Sequence, residues 1–388
     1  MRRALYAGLA AFITIVVVSH FRSSPYNNYV LLADAFLHGH VWVTVPGNYI
    51  DALAYNGRNY VIEAPMPAML LLPAVVVFGL HANQTLLAAV LGGVAIGAAW
   101  AICERLAVPA RQTLWLCVVL LAGTDLLWCA MLGDVWFVAH VSAVCFTLLA
   151  ILEVLGPRRG WLVALWATCA FESRFTMILA LPVYYALLHA GPDWRVDLRA
   201  LLPRKSDIMF FGVLAVAGAL WSAYNDARWG TWSDIGYVTW YHQDAAGSPF
   251  GSPFALRYLP YELHSFLVLA PAFSRIFPYI VPSIAGVALT WTSPALIIAA
   301  WARTPRVLAV SFALAAAFTA LPNLLYYVNG FAQYGMRHAL DFIPFLFVLM
   351  ALAMREELKA WVKVLIAYST LAGLYGCYYW NAFVRPTY

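Results

Sequence analysis

The sequence predicts an all-α polytopic membrane protein that forms one integral membrane domain over residues 1–388. Three observations lead there. The chain is 64% hydrophobic and only 11% charged, against roughly 25% charged in soluble domains. Its mean hydropathy is +0.77, and apolar runs recur along nearly its whole length. Those runs are continuous and do not alternate residue by residue, which excludes a closed β-barrel, so helices must satisfy their own backbone hydrogen bonds in lipid.

The runs suited to spans lie at about 4–20, 85–103, 113–131, 136–153, 160–172, 174–189, 207–225, 283–302, 307–325, 339–354 and 360–378, giving about 11 transmembrane helices. The N-terminus, MRRALYAGLAAFITIVVVSHF, has the basic start and apolar run of a signal peptide but no small-x-small site after it. It is expected to remain as the first helix. Basic residues set the orientation. An N-terminus in the cytoplasm puts Arg2, Arg3, Arg105, Arg111, Arg158, Arg159, Arg195, Arg199, Arg204, Lys205, Arg303, Arg306, Arg355, Lys359 and Lys363 on that side, 15 of the 23 Lys and Arg, all close to span ends.

This assignment requires the run at 65–80 not to cross. It is short and carries Pro65, Pro67 and Pro73, which interrupt helical hydrogen bonding. It reads as a dipping segment of a large outer loop at about 21–84. In the same loop YNNYVLLADAFLHGH sets Tyr26, Tyr29, Val30, Ala33, Phe36 and Leu37 on one helical stripe, with Asn27, Asp34 and His38 on another face. That pattern predicts an amphipathic helix over 26–38 lying along the membrane surface. Between these segments stands DALAYNGRNYVIE, with two acids, an Arg and an Asn-Gly turn. A second outer loop covers about 227–282.

Ionisable residues at the membrane boundary are costly, and their default reading is functional. Asp134 in MLGDVWFVAH, Arg174 in FESRFTMILALP and Arg337 in QYGMRHALDFIP all fall at the outer level of their spans. Arginine there suits a lipid phosphate, which its planar, permanently charged fork grips in two places. Arg174, beside Glu172, is equally suited to an internal ion pair. The acids Asp34, Asp51, Glu63 and Asp134 are candidates for deprotonating an incoming hydroxyl.

Several function classes are excluded. No basic block of the kind that tracks nucleic acid is present. The six cysteines are scattered through apolar runs without C-x-x-C spacing, and the histidines show no H-x-x-x-H pair, so neither disulfides nor zinc are expected. There is no Gly-rich phosphate loop, Ser nucleophile elbow or calcium loop. Asn83-Gln84-Thr85 matches a glycosylation sequon but sits at a span boundary. The aromatic residues of the second outer loop, among them Trp229, Tyr237 and Trp240, suit sugar faces and also an interfacial belt.

The order of NNYVLLADAFLHGH, YNGRNYVIEAPMPAMLLLP, GDVWFVAH, FESRFTMILALP, ARWGTWSDIGY with SPFALRYLPYEL, and QYGMRHALDFIPF resembles the GT-C superfamily of polytopic glycosyltransferases that use lipid-linked sugars, in particular bacterial members of uncharacterised specificity. The stretches together cover most of the chain.

The resemblance implies transfer of a sugar from a polyprenyl-phosphate donor to a hydroxyl on a glycan, lipid or protein acceptor, at the outer face of a bacterial inner membrane. Arg174 and Arg337 would contact the donor phosphate. Candidate acceptor or sugar contacts are Asn27, Asn28, Arg58, Tyr60, His140, Gln333 and Tyr334. The superfamily usually places its catalytic acid just after the first span, where this chain reads SSPYNNY. The base then falls to Asp34, Asp51 or Glu63, or to Asp134. The oligosaccharyltransferase branch carries a metal-binding D-x-E pair after the third span, whereas this chain has the single acid of GDV, which favours a metal-independent reaction with a monophosphate donor and no cofactor; direct displacement by the acceptor would invert the anomeric centre. A transporter or flippase of a lipid-linked precursor, and a non-catalytic scaffold of the same fold, are the alternatives. Charges clustered on one side, with no internal repeat, disfavour transport.

Overall fold

The computed structural model describes residues 2–45, 49–191, 194, 202, 204–243, 251–330, 332–356 and 359–385. Helices dominate. In chain order they are α1 (Arg2–Ser19), α2 (Asn28–Leu37), α3 (Met66–Phe78), α4 (Gln84–Arg105), α5 (Ala110–Ala122), α6 (Leu126–Leu132), α7 (Val135–Val154), α8 (Gly160–Phe171), α9 (Leu181–Leu188), α10 (Ile208–Trp229), α11 (Gly236–Gln243), α12 (Leu259–Leu267), α13 (Leu289–Thr292), α14 (Arg306–Leu324), α15 (Ile343–Ala353) and α16 (Ala360–Tyr379). Two antiparallel hairpins interrupt them: β1 (Ala52–Tyr55) with β2 (Arg58–Val61), and β3 (Ala272–Phe273) with β4 (Ile280–Val281).

Each of the eleven apolar runs contains helix, but among the described residues only six helices are long and apolar enough to cross a membrane alone. A seventh results if α5 and α6, bent by 49°, count as one span. The other runs are shortened by proline and 3-10 turns. Phe175–Ala180 is a 3-10 turn before Pro182, Pro294–Trp301 is a 3-10 segment in the second half of another run, and Arg337–Asp341 precedes Pro344. Arg195 and Arg199, part of the basic set read from the sequence, lie outside the described residues.

Small residues let the first spans meet closely. A Cβ on Gly93 would stand 2.9 Å from the Gly8 carbonyl oxygen and one on Gly97 would stand 3.2 Å from that of Ala4, so α1 lies backbone to backbone on the Gly-x-x-x-Gly stripe of α4. α7 is the central helix, with all but three of its twenty residues buried. The basic loops gather at one end of the bundle, where the Arg105 guanidinium lies against Gly156, Arg158 donates to the Ala190 carbonyl and Gln112 to that of Glu356.

The stretch between α1 and α4 carries two shorter helices. α2 buries Asn28, Tyr29, Val30, Leu32, Ala33 and Ala35, so much of it is packed into the protein. α3 covers most of the proline-bearing run at 65–80. Its thirteen residues contain Pro73, its outward face shows Met69, Val76, Val77 and Phe78, and its first N–H is held by the Glu172 carbonyl at 2.8 Å.

Asn56 and Gly57 take the left-handed backbone that a two-residue type I′ turn demands (φ 46° and 75°), and the β1–β2 hairpin follows from it. Its inner face, Leu53, Tyr60 and Ile62, packs on Trp229 at the end of α10, with the Tyr60 and Trp229 rings 5.2 Å apart.

Candidate active site

The hairpin register decides where the acids go. Pairing of Ala52 with Val61 leaves Asp51 and Glu63 just beyond the paired ends of the two strands. Their carboxyls are close enough to influence each other's titration. Asp51 also accepts from the Trp136 indole and holds a left-handed backbone (φ 53°), a conformation that Asp tolerates better than most residues. Burial pushes the Asp51 carboxyl up to about 6, against the lowering pull of Glu63 and Arg337. Burial, reinforced by the Asp51 charge, pushes Glu63 well above the usual carboxylate range.

Both acids line a cavity of about 790 Å³. Asp134, Arg174, Arg337 and His140 line it too, as do His338, Asn323, Tyr237, Tyr326, Arg22 and Arg385. Groups separated by hundreds of residues thus meet at one site.

The corner that carries Asp134 is built by its neighbours. Gly133 ends α6 with φ 66°, and a Cβ there would stand 2.3 Å from Thr85 Oγ1. Gln84, fully buried, donates to the carbonyls of Gly133 (2.7 Å) and Tyr26 (3.2 Å) and accepts from the Tyr29 N–H (3.1 Å), which ties the first outer loop to this corner. The sequon asparagine caps α4 by accepting from the Leu86 N–H. Asp134 precedes α7 but does not cap it; its Oδ1 takes the Ser24 hydroxyl at 2.5 Å. Burial pushes this carboxyl up to about 6 despite that bond.

Arg337 is buried, and its Nη1 donates to the Gly330 carbonyl. The guanidinium carbon lies 5.9 Å from the Trp136 ring centre and 5.4 Å from that of Phe137. Arg174 forks onto Asp341, with Nε 3.2 Å from Oδ1 and Nη2 2.9 Å from Oδ2. The internal ion pair open to Arg174 is therefore made, but with Asp341 and not with the adjacent Glu172. Nη1 has no protein partner among the described residues, on a side chain 17% exposed. Asp341 is fully buried and also accepts from Thr176 Oγ1 (2.8 Å), Asn323 Nδ2 (3.0 Å) and His140 Nδ1 (3.0 Å). Four groups from three separate parts of the chain satisfy it, the condition under which a buried charge is tolerated.

Seven candidates from the sequence lie off the cavity lining. Asp34 sits on the half-exposed face of α2, 3.6 Å from His38 Nδ1. The Asn27 side chain accepts from Tyr49, and Asn28 donates to the Ile50 carbonyl, so both fasten the loop. Arg58 lies 3.7 Å over the Trp42 ring, and Tyr60 is in the hairpin core. Gln333 is fully buried, donates to the carbonyls of Asn329 (2.7 Å) and Ala285 (3.1 Å), and accepts from the Arg337 N–H (3.2 Å). Tyr334 gives its hydroxyl to the Ala372 carbonyl. Asp341 was missed as a site residue, though an acid within the apolar run ALDFIPFLFVLM was the signal for it.

Among the described residues, no three His, Cys, Asp or Glu side chains cluster as a metal set. The Asp134 corner offers one carboxylate, engaged with Ser24, so this donor set does not fit a divalent ion and no step is routed through one.

Comparison with solved structures decides the fold. The chain matches ArnT from Cupriavidus metallidurans bound to undecaprenyl phosphate with a TM-score of 0.54 at 16% identity, over 89% of this chain and 58% of that one. It matches the oligosaccharyltransferase from Archaeoglobus fulgidus in the apo form with a TM-score of 0.52 at 12% identity, over 97% of this chain and 55% of that one. The chain shares the fold of these two structures. The chain spans less than three-fifths of the length of either GT-C neighbour. No family model and no curated protein matches the sequence.

Proposed function

We propose that the protein is a membrane glycosyltransferase that moves a sugar from a polyprenyl phosphate to a hydroxyl acceptor at the outer face of a bacterial inner membrane. One observation carries this reading: the neighbouring carboxyls of Asp51 and Glu63 line the same cavity as the guanidiniums of Arg174 and Arg337. The GT-C fold and the undecaprenyl phosphate bound to one neighbour support the donor class.

In this reading the donor phosphate lies against Arg337 and the unpaired Nη1 of Arg174. Near neutral pH the acid pair holds one proton, on Glu63, and Asp51 carries the charge. The acceptor oxygen attacks the anomeric carbon while its proton passes to the Asp51 carboxylate. The bond from that carbon to the phosphate oxygen breaks, and polyprenyl phosphate departs with the electron pair. Direct displacement inverts the anomeric centre. The arginines, held in place before the reaction, offset the charge that develops on the leaving group. Asp341 holds Arg174 in position and fixes the Nδ1–H tautomer of His140, which leaves Nε2 as an acceptor for a sugar hydroxyl.

The test is transfer by purified protein in proteoliposomes, using a panel of polyprenyl-phosphate sugars with membrane lipid extract as acceptor source. Wild type transfers at least one sugar, and Asp51→Asn does not. Undiminished transfer by an Asp51→Asn, Glu63→Gln double variant rules the mechanism out.

A further inference from the structure

A second cavity, of about 800 Å³, lies under α10. This helix is buried only near its ends, at Phe210 and at Asn225, Arg228 and Trp229. Its middle stands off the bundle. Gly212, Val216 and Leu220 of α10, Leu165 and Cys169 of α8, and Met69 of α3 line the resulting cleft. Within a bilayer such an apolar void is filled by hydrocarbon, because an empty one forfeits the contacts of its walls.

The cleft adjoins the active-site cavity through a wall one residue thick. Pro65 and Met66 face the cleft where Glu63 and Ala64 face the cavity, and Glu172 faces the cleft where Ser173 faces the cavity. The Met66 N–H donates to the Glu172 carbonyl at 2.8 Å and joins these two stretches. Glu172 is the one charged group lining the cleft, and no Arg, Lys or His lines it. Arg228, the neighbouring cation, donates to the Val61 carbonyl (3.2 Å) and to Asn225 (2.7 Å), and lies 3.7 Å from Asp234. A phosphate at the head of the cleft would meet the Glu172 carboxyl, with the nearby cation, Arg228, already engaged by Asp234, Asn225 and the Val61 carbonyl. The arginines that suit a phosphate line the active-site cavity instead.

Resting on the glycosyltransferase reading, we infer that the cleft seats the hydrocarbon chain of the acceptor, a lipid whose reacting head is an uncharged hydroxyl. Its head reaches past the Ala64–Pro65 edge into the active-site cavity, where the acid pair takes its proton. The polyprenyl phosphate occupies the arginine side, so the two substrates approach from different sides of the site.

Two glycines of α10 allow a controlled test. A Cβ on Gly212 or on Gly218 meets nothing within 4 Å, but only Gly212 lines the cleft. Gly212→Phe therefore fills the cleft without a backbone clash, Gly218→Phe controls for the loss of glycine, and Ala217→Trp is a second filling variant. Each full-length protein is reconstituted in nanodiscs of phosphatidylethanolamine and phosphatidylglycerol doped with dioleoylglycerol and undecaprenyl phosphate, and retained lipids are counted by native mass spectrometry. Wild type and Gly218→Phe retain dioleoylglycerol. Gly212→Phe and Ala217→Trp retain about tenfold less, equivalent to ~1.4 kcal/mol, while undecaprenyl phosphate is held equally by all four. Loss of undecaprenyl phosphate from the filling variants, or retention of phosphatidylglycerol in place of dioleoylglycerol, overturns the inference. If no protein, wild type included, retains undecaprenyl phosphate, the donor assignment fails, and the dioleoylglycerol comparison still decides the cleft.

Discussion

Arg174 and Asp341, 167 residues apart in the chain, form a two-point ion pair at 3.2 and 2.9 Å, with the carboxylate wholly buried. Asp341→Ala leaves a largely buried guanidinium without its counterion, which costs roughly 3–5 kcal/mol. The expected result is a marked fall in the midpoint of thermal unfolding in detergent. Arg174→Met with Asp341→Leu removes both charges and recovers most of that stability without recovering transfer. If the double variant is as unstable as the single one, the pair is not the cause.

Arg337→Lys keeps the charge but removes the fork. With the fork stabilising the leaving phosphate, kcat falls by about 10²–10³, while the fold, read by the unfolding midpoint, changes little. A loss confined to KM would assign Arg337 to binding the ground state only.

Asp51 makes opposite demands on activity and stability. Transfer needs its ionised form, so the rate rises with pH through about 6. Its folded value lies above the ordinary 3.8. Its contribution to stability is therefore complete below that ordinary value and is lost as pH rises through about 6. Asp51→Asn is expected to raise the unfolding midpoint at pH 8, to change it little below pH 4, and to abolish transfer. A variant no more stable than wild type at pH 8 contradicts the buried acid pair.

Gly133→Ala places a Cβ 2.3 Å from Thr85 Oγ1 and 2.5 Å from Thr85 Cα on a backbone with φ 66°. Overpacking of this kind costs about 1–3 kcal/mol, and it displaces the corner that carries Asp134. Lower stability and lower transfer are expected together. Gly218→Ala, which meets nothing within 4 Å, leaves both unchanged.

The sequence by itself determined the solvent and the punctuation of this protein. Composition and continuous apolar runs fix it as a helical membrane protein, because every backbone group in lipid needs a partner within its own segment. The boundary charges Asp134, Arg174 and Arg337 were legible for the same local reason, as was the Asn-Gly turn, although the hairpin it dictates was not drawn from it. Only the tertiary structure decided which polar groups meet. It set Asp51 beside Glu63 through strand register, gave Arg174 to Asp341, and turned Gln333 and Tyr334 inward to hold backbone carbonyls. Propensity and periodicity act over a few residues, whereas the 201-residue separation of His140 and Asp341 is closed only when helices pack.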